Sequence, residues 1–214
     1  MMTVQRLLFL FGVCLPFIAL ASSESYKSVE LPGVEIPVYE QQCSSFEIYQ
    51  ENFALGMCRF PDRDTDKNYG WRFVIFEQQD SVWKEKFMSS GFMDAYSVDP
   101  YFFSPQNVEP EKHTDWLLIL ESAAEYPWGI DVYTLPSDDA KPVKLGEIPI
   151  ITASEDDGDS LIPYLDVSHN SGHLEISVGI DTVFLSEKIT ETYPAGSVKY
   201  VEKQGKLVME RIKP

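Results

Sequence analysis

The chain has 214 residues and a large excess of acid, with 34 Asp and Glu against 17 Lys and Arg and a formal net charge of −17 at pH 7. This charge repels phosphate backbones and anionic lipid surfaces, which excludes nucleic-acid binding and membrane-surface binding as functions. Apolar residues make up 44% of the chain, as in ordinary globular proteins, so a folded core is expected rather than disorder.

The N-terminus predicts export. Arg6 is the only charged residue before an apolar run from Leu7 to Ala21, which ends in the small-x-small pattern of a signal-peptidase site. The run is shorter than the roughly 20 residues that a membrane-spanning helix needs. We therefore expect residues 1–21 to be a cleaved signal peptide. The mature chain, 22–214, is expected to be periplasmic or extracellular and not inserted in a membrane.

The two cysteines of the mature chain predict a disulfide. Cys43 begins the strand-like run "CSSFEIYQ" and Cys58 ends the run "ENFALGMC", with the midpoint at Gln50-Glu51. A hairpin folded there places the cysteines opposite each other, with Cβ atoms about 4.5–5.5 Å apart, which suits a disulfide. An even number of cysteines in an oxidising compartment favours the same structural bridge.

Three aspartates alternate in the next segment, 60–71, and raise the question of a calcium site: Asp62, Asp64 and Asp66. They fit the first three ligand positions of an EF-hand, but Lys67 stands where that loop needs glycine and Phe73 where it needs a bidentate glutamate. Two interpretations of the segment remain: a looser calcium site and an acidic surface turn. In the turn, Asn68 and Gly70 would supply left-handed backbone geometry.

Short β-branched and aromatic runs, bounded by turn-forming residues, then follow at intervals of 8–12 residues. The segment 80–91 fits a strand or a short helix, and a strand is favoured because it would complete a hairpin with 71–77. The connector 104–115 either divides the chain or forms a long surface loop, and the loop is favoured. We predict a single all-β domain of antiparallel hairpins, arranged as a sandwich, a barrel or a small propeller-like domain. The remaining strand-like runs are "DWLLILES", "GIDVYTL", "VKLGEIPII", "LIPYLDV", "HLEISVG", "TVFLSE", "SVKYVEKQ" and "KLVMERI".

Aromatic residues beside prolines form two candidate binding platforms. One is "DPYFFSP", with Tyr101, Phe102 and Phe103, and the other is "EYPWG", with Trp128. If exposed, these rings would bind a sugar or a peptide. Burial is the favoured alternative, because each ring contributes 150–250 Å² of apolar area to a core.

A second acidic loop, "SEDDGDS", contains Asp156, Asp157 and Asp159. Concentrated carboxylates bind hard cations such as calcium, yet a solvated loop between strands has the same composition.

The stretch 164–178 predicts a hairpin around Asn170-Ser171-Gly172. With its centre at Ser171, His169 and His173 would face each other and could chelate a transition metal, or could simply be exposed. The same stretch, "LDVSHNSGHLEISV", and the pair "DWLLILES…GIDVYTL" resemble FG-GAP and VCBS-type β-propeller blades of secreted proteins. The resemblance covers about a third of the chain, and it implies a calcium-binding turn at Asp166.

Catalytic signatures are missing from the sequence: there is no nucleophile elbow, no H-E-x-x-H and no P-loop. We therefore predict a binding or interaction module with an acidic surface, whose partner is a cationic secreted protein or a glycan. The alternatives are a carbohydrate-active enzyme using a carboxylate pair and a weak calcium-binding structural protein.

Overall fold

The structure is a computed structural model that describes residues 24–37, 39–106, 115–124, 127–136, 141–153, 159–170, 173–185 and 190–212. Within these ranges the chain forms β-strands and two short 3-10 helices, with no α-helix, so the predicted all-β class is confirmed. No helix in the same ranges is long and apolar enough to cross a bilayer. The predicted signal peptide, Asp156, Asp157 and the side chain of Trp128 lie outside the described residues.

Sixteen strands are described, together with 3-10 helices at Pro61–Arg63 and Ile162–Tyr164. In chain order the strands are β1 Glu24–Val29, β2 Cys43–Gln50, β3 Phe53–Arg59, β4 Trp71–Gln79, β5 Val82–Met88, β6 Ser97–Pro105, β7 Trp116–Ala123, β8 Pro127–Leu135, β9 Val143–Ile148, β10 Ile150–Thr152, β11 Leu165–Asn170, β12 His173–Val178, β13 Thr182–Leu185, β14 Thr190–Tyr193, β15 Val198–Lys203 and β16 Lys206–Arg211.

All strand pairs are antiparallel and form three sheets. The largest has nine strands in the order β16-β15-β12-β11-β1-β6-β7-β8-β9, and the others have the orders β2-β3-β4-β5 and β10-β13-β14. The two ends of the nine-stranded sheet approach each other: a Cβ built on Gly146 of β9 would lie 3.2 Å from the Cβ of Leu207 of β16. The sheet therefore curls into a nearly closed barrel.

Strand β7 separates two hydrophobic cores. Leu117 and Ile119 point into the barrel, whereas Leu118 and Leu120 point outwards and pack against the four-stranded sheet. Both faces are buried, which explains why β7 reads as a continuous apolar run and not as an alternation. Full burial of each such side chain contributes about 1.5–3 kcal/mol to folding, so the two layers are held together by apolar packing.

Strand β4 of the four-stranded sheet is also apolar on both faces. Phe73 and Ile75 of β4 face the barrel, while Val74 and Phe76 face a third core on the far side. Ile36 belongs to that core, and Val34, Tyr39 and Cys43 pack against it. Residues 34–37 and 39 lie in no strand. An isolated bridge from Gly33 to Glu47 and a backbone hydrogen bond from the Val34 N–H to the Phe46 carbonyl hold this segment to β2.

The predicted hairpins are largely confirmed. The segment favoured as a strand is β5, paired with β4, and β7 pairs with β8 and β15 with β16. The strands on either side of connector 104–115, β6 and β7, pair directly with each other. The predicted strand "LIPYLDV" is only partly correct, because its first half contains the 3-10 helix Ile162–Tyr164. Three strands were not predicted: β1, β6 and β14.

The predicted disulfide is confirmed: Cys43 and Cys58 are bonded and directly paired across β2 and β3. The turn is centred on Glu51 and Asn52, one residue beyond the predicted midpoint. Two irregularities in the β2–β3 register shift the pairing back, so that the cysteines still meet.

Candidate functional site

The candidate site is a groove of about 460 Å³ between segment 90–93 and the outer face of strands β8 and β9. Its lining combines apolar side chains with a small charged group. The side chains that matter for its chemistry are Phe92, Met93, Asp131, Tyr133, Lys144 and Glu147.

A β-bulge in β9 brings the charged groups onto one face. Lys144 and Glu147 are three residues apart, and in a regular strand they would point to opposite faces. Here Lys144 pairs with Tyr133, but Gly146, not Leu145, pairs with Val132, so β9 has one extra residue. Lys144 and Glu147 therefore both point outwards, into the groove.

Gly146 makes this bulge possible. Its φ is +156°, a conformation that side-chain-bearing residues rarely adopt, and a Cβ there would press on Leu207 at 3.2 Å. The glycine in "VKLGEI" is a sequence signal that could have indicated the site, because a lone glycine inside a strand marks a bulge or a close backbone approach.

One ammonium holds two carboxylates in the groove. The Lys144 Nζ lies 2.8 Å from Asp131 and 2.7 Å from Glu147. The side chain of Asp131 is 14% exposed, that of Lys144 39% and that of Glu147 66%. The triad thus runs from the floor of the groove at Asp131 to its rim at Glu147, with a net charge of about −1.

Burial raises the pKa of the Asp131 carboxyl, and the bond from Lys144 opposes that rise. For Lys144, burial acts to lower the pKa, but the bonds to Asp131 and Glu147 outweigh it and raise the pKa. Burial also raises the pKa of Tyr133 to about 12. The lysine is therefore charged and Tyr133 is neutral at physiological pH.

The far wall of the groove, segment 90–93, is fastened to the acidic loop 60–71. The Phe92 N–H donates to the Trp71 carbonyl at 2.7 Å, and the Gly91 N–H donates to the Asn68 side chain. A Cβ on Gly91 would collide with the Tyr69 backbone at 2.1 Å, so only glycine permits this close approach.

The acidic loop itself is organised by a buried arginine, which sequence reasoning missed. The guanidinium of Arg72 is almost fully buried and donates to Asp64 at 2.7 Å and to the carbonyls of Gly70 and Asn68 at 3.0 and 2.9 Å. Gly70 has a φ of +94°, as expected of the turn, whereas Asn68 is not left-handed.

Those predicted metal ligands that the structure describes do not form a group of three. Asp62 and Asp66 are exposed, while Asp64 is bonded to Arg72. Asp159 is exposed, at the edge of a loop that is otherwise outside the described ranges. Across the part of the chain that the structure describes, no three His, Cys, Asp or Glu side chains are grouped to hold a metal ion.

The predicted opposition of His169 and His173 is wrong. Asn170 pairs with His173 and His169 with Leu174, so the hairpin closes through a two-residue connection and not around Ser171. Directly paired residues share a face, and the two histidines therefore lie on opposite faces of the sheet.

The candidate aromatic platform at 101–103 is not formed, and the favoured prediction of burial is confirmed for Phe102 and Phe103. Phe102 packs between the barrel and the four-stranded sheet, and Phe103 lies inside the barrel. Tyr101 is half-buried against the interior core. Alternation along β6 sends neighbouring rings to different cores, so they cannot form one surface.

A second buried carboxylate lies inside the barrel. Glu121 of β7 accepts a hydrogen bond from the Leu161 N–H at 3.0 Å and pairs directly with Asp99 of β6. Burial raises the pKa of Glu121 most, bonds from Ser160 and Leu161 lower it, and the negative charge of Asp99 raises it further. Its role is to hold the segment that leads into the second 3-10 helix.

No protein-family model matches the chain, and neither a curated protein nor a solved structure is significantly similar to it. The resemblance to FG-GAP and VCBS-type blades therefore stays a prediction.

Proposed function

We propose that this protein is an exported binding module that holds its partner in the groove beside β8 and β9. The observation that carries the proposal is the groove itself: a concave site of about 460 Å³ with apolar walls and a few converging polar groups. Such a combination is typical of ligand sites on preformed scaffolds.

Binding fits the charged groups better than catalysis does. A glycosidase needs one protonated carboxylic acid and one free carboxylate at a fixed separation. In the groove, one oxygen of Asp131 and one oxygen of Glu147 are bonded to the same lysine, so the two groups form one ion-paired cluster and not a separated acid and base. The pair therefore suits the recognition of a partner.

One feature of the sequence and one of the structure support export. The predicted signal peptide occupies residues 1–21, and the Cys43–Cys58 disulfide requires an oxidising compartment to persist.

Filling the groove tests the proposed function. A Cβ on Gly129, which lines the groove, would have no atom within 4 Å, so Gly129→Phe adds a ring without a clash at the backbone. The matched control is Gly33→Phe, on an exposed segment outside the groove, where a Cβ meets nothing closer than 3.7 Å.

Each immobilised mature protein is exposed to the exported proteins and to the glycans of its source. We expect the partner that the native protein retains to be retained by the Gly33 variant and lost by the Gly129 variant. Equal retention by all three proteins would overturn the groove as the binding site. Turnover of a glycoside that Asp131→Asn abolishes would overturn the binding function in favour of catalysis.

A further inference from the structure

The charges of the groove define which ligands it accepts. Asp131, Lys144 and Glu147 are the charged residues among those lining it, and they sum to about −1. An anionic ligand gains little from Lys144, whose ammonium already bonds two carboxylates, and it is repelled by the remaining charge. A cation is attracted both by this charge and by the formal net charge of −17 of the whole chain.

The depths of the three side chains allow an exchange of cations. Asp131 lies at the floor, and the group that covers it is the more exposed Lys144, a long and flexible side chain. Glu147 at the rim offers the lysine a second position, because the two are already bonded at 2.7 Å. When Lys144 swings towards Glu147, a place opens at Asp131 for a cation from outside.

The walls suit the hydrocarbon part of a basic side chain. Phe92, Met93 and Pro149 line the groove, and Met93 is 44% exposed. Lysine and arginine side chains place their methylene stems on such apolar surfaces while their charged ends reach a polar group. A guanidinium is favoured over an ammonium, since its planar fork bonds a carboxylate through two N–H groups.

We propose that the groove binds an arginine or lysine side chain of a cationic partner protein, whose charged end replaces Lys144 at Asp131 while Lys144 moves to Glu147. This inference rests on the proposed function and names the partner class. It makes Lys144 an internal competitor of the ligand, so that removing a positive charge from the groove strengthens binding of a positive ligand.

A second triad on the molecule provides a matched control. The Lys199 Nζ lies 3.0 Å from Glu175 and 3.9 Å from Glu210, so one lysine again faces two carboxylates. These residues belong to strands β12, β15 and β16 and do not line the groove. Lys199→Met therefore makes the same change in net charge as Lys144→Met without opening a position at Asp131.

The probes are the peptide amide Gly-Ser-Arg-Ser-Gly and its neutral counterpart with citrulline in place of arginine. Binding is followed by the amide signals of residues 129–133 and 144–147 in nuclear magnetic resonance titrations. We expect the arginine peptide to shift these signals and the citrulline peptide to bind at least about tenfold more weakly, as the loss of a charged hydrogen bond predicts.

The variants test the exchange itself. Asp131→Asn is expected to weaken binding of the arginine peptide about tenfold, and Lys144→Met to strengthen it by about the same factor. Glu147→Gln should weaken binding as well, because Lys144 then has no second position and stays on Asp131. Glu147 is 66% exposed, so this variant leaves the fold intact even if Asp131→Asn does not. Lys199→Met is expected to change the affinity less than about twofold.

Weaker binding by Lys144→Met, or equal strengthening by Lys144→Met and Lys199→Met, would overturn the exchange. Equal affinity for the arginine and citrulline peptides would overturn the cation as the ligand. If Gly129→Phe loses the natural partner while all the charge variants retain it unchanged, the proposed function stands and this inference fails.

Discussion

At the scale of single residues, the most consequential interaction is the one between Arg72 and Asp64. The guanidinium is buried and the carboxylate is its only charged partner among the bonds described for it, the others being the carbonyls of Gly70 and Asn68. A buried charge is tolerated only when it is paired and hydrogen-bonded. The aspartate that resembled a calcium ligand is thus needed to keep an arginine inside the fold.

Removing the charge of Asp64 should therefore destabilise the protein. We expect Asp64→Asn to lower the free energy of unfolding by about 1–3 kcal/mol, because Arg72 would stay buried without its counter-ion. The measurement is chemical denaturation. Asp62→Asn, an exposed carboxylate of the same loop, is the matched control and should change stability by less than about 0.5 kcal/mol. Equal effects of the two would mean that Arg72 does not depend on the pair.

Tyr200 presents the opposite case, a buried group whose hydroxyl has no hydrogen-bond partner among the described residues. An unsatisfied hydroxyl costs stability, and its removal should relieve that cost. We expect Tyr200→Phe to leave the melting temperature unchanged or to raise it, by the equivalent of at most about 1 kcal/mol. Tyr193→Phe, which loses a bond to Glu191, should lower it. A clear loss in Tyr200→Phe would reveal a partner for the hydroxyl.

At the scale of elements, the bulge of β9 decides where charges point. Its glycine is required for two reasons, the φ of +156° and the contact with Leu207. Bulges re-aim side chains, and they are frequent beside functional sites. The bulge therefore belongs to the site as much as the charged residues do.

Substituting Gly146 tests this dependence. We expect Gly146→Val to lower the free energy of unfolding by about 1–3 kcal/mol, because a branched side chain is strained at this φ and presses on β16. Gly129→Ala, at a position with no atom within 4 Å of a Cβ, is the control and should cost less than about 0.5 kcal/mol. If both variants are equally stable, the bulge does not need glycine.

The disulfide is a local restraint on the β2–β3 hairpin. Its two cysteines are 15 residues apart, so the loop that it closes in the unfolded chain is short. We expect the double change Cys43→Ala and Cys58→Ala to lower the free energy of unfolding by at most about 3 kcal/mol. Denaturant unfolding measures the effect. The hairpin should survive, since β3 is also paired with β4 over its whole length. Loss of the folded state in the double variant would contradict this.

These elements also explain what the sequence could and could not predict. Hairpins such as β4–β5 and β15–β16 were predictable because the strands and their turn are neighbours in sequence. Strand β1 was missed because "ESYKSV" is short and polar, and its partners, β6 and β11, are remote. Strand β6 was missed because it contains Pro100, and proline is unusual within a strand. The proline is tolerated there because β1 pairs only with residues 102–105 of β6. The predicted pairing of His169 with His173 was wrong by one residue of register.

The candidate site was harder to predict than the fold, for a physical reason. Asp131 and Lys144 lie on strands joined by a connector, and only the bulge places Glu147 on the same face. The opposite wall comes from segment 90–93, which reaches the groove through its bonds to the acidic loop. A sequence shows neither the bulge register nor this long-range contact. It shows only the glycine that allows the bulge.

At the scale of the whole molecule, the carboxylate of Glu121 links stability to pH. Its pKa in the folded state is raised above the ordinary value of 4.5, mainly by burial. The folded state therefore binds a proton more readily than the unfolded state does. Stability that depends on this proton is present at low pH and is lost as pH rises from 4.5 through the raised pKa. The negative charge of Asp99 adds to the rise in the pKa of Glu121. The pKa of Tyr101 is raised by burial and then by the charges of Glu121 and Asp99.

Glu121→Gln removes the titration and keeps an oxygen for the Leu161 N–H. We expect the melting temperature of the native protein, relative to that of the variant, to be highest near pH 4 and to fall as the pH rises above 4.5. Thermal unfolding across pH 4–8 measures this. Glu51→Gln, in the exposed turn between β2 and β3, corrects for the loss of one surface charge. A relative stability that rises with pH would show that Glu121 is stabilised as an anion.

The order of strands in the nine-stranded sheet has a consequence for the timing of folding. Strand β1 is synthesised before its neighbours, yet it lies between β6 and β11, where Ser25 pairs with Ser168. The four-stranded sheet occupies the intervening chain and is made of successive hairpins that can form early. The barrel must wait for chain synthesised more than a hundred residues later. Such distant closure is slow, and until it is complete β1 is an open edge on which a chaperone, or a second copy of the chain, can act.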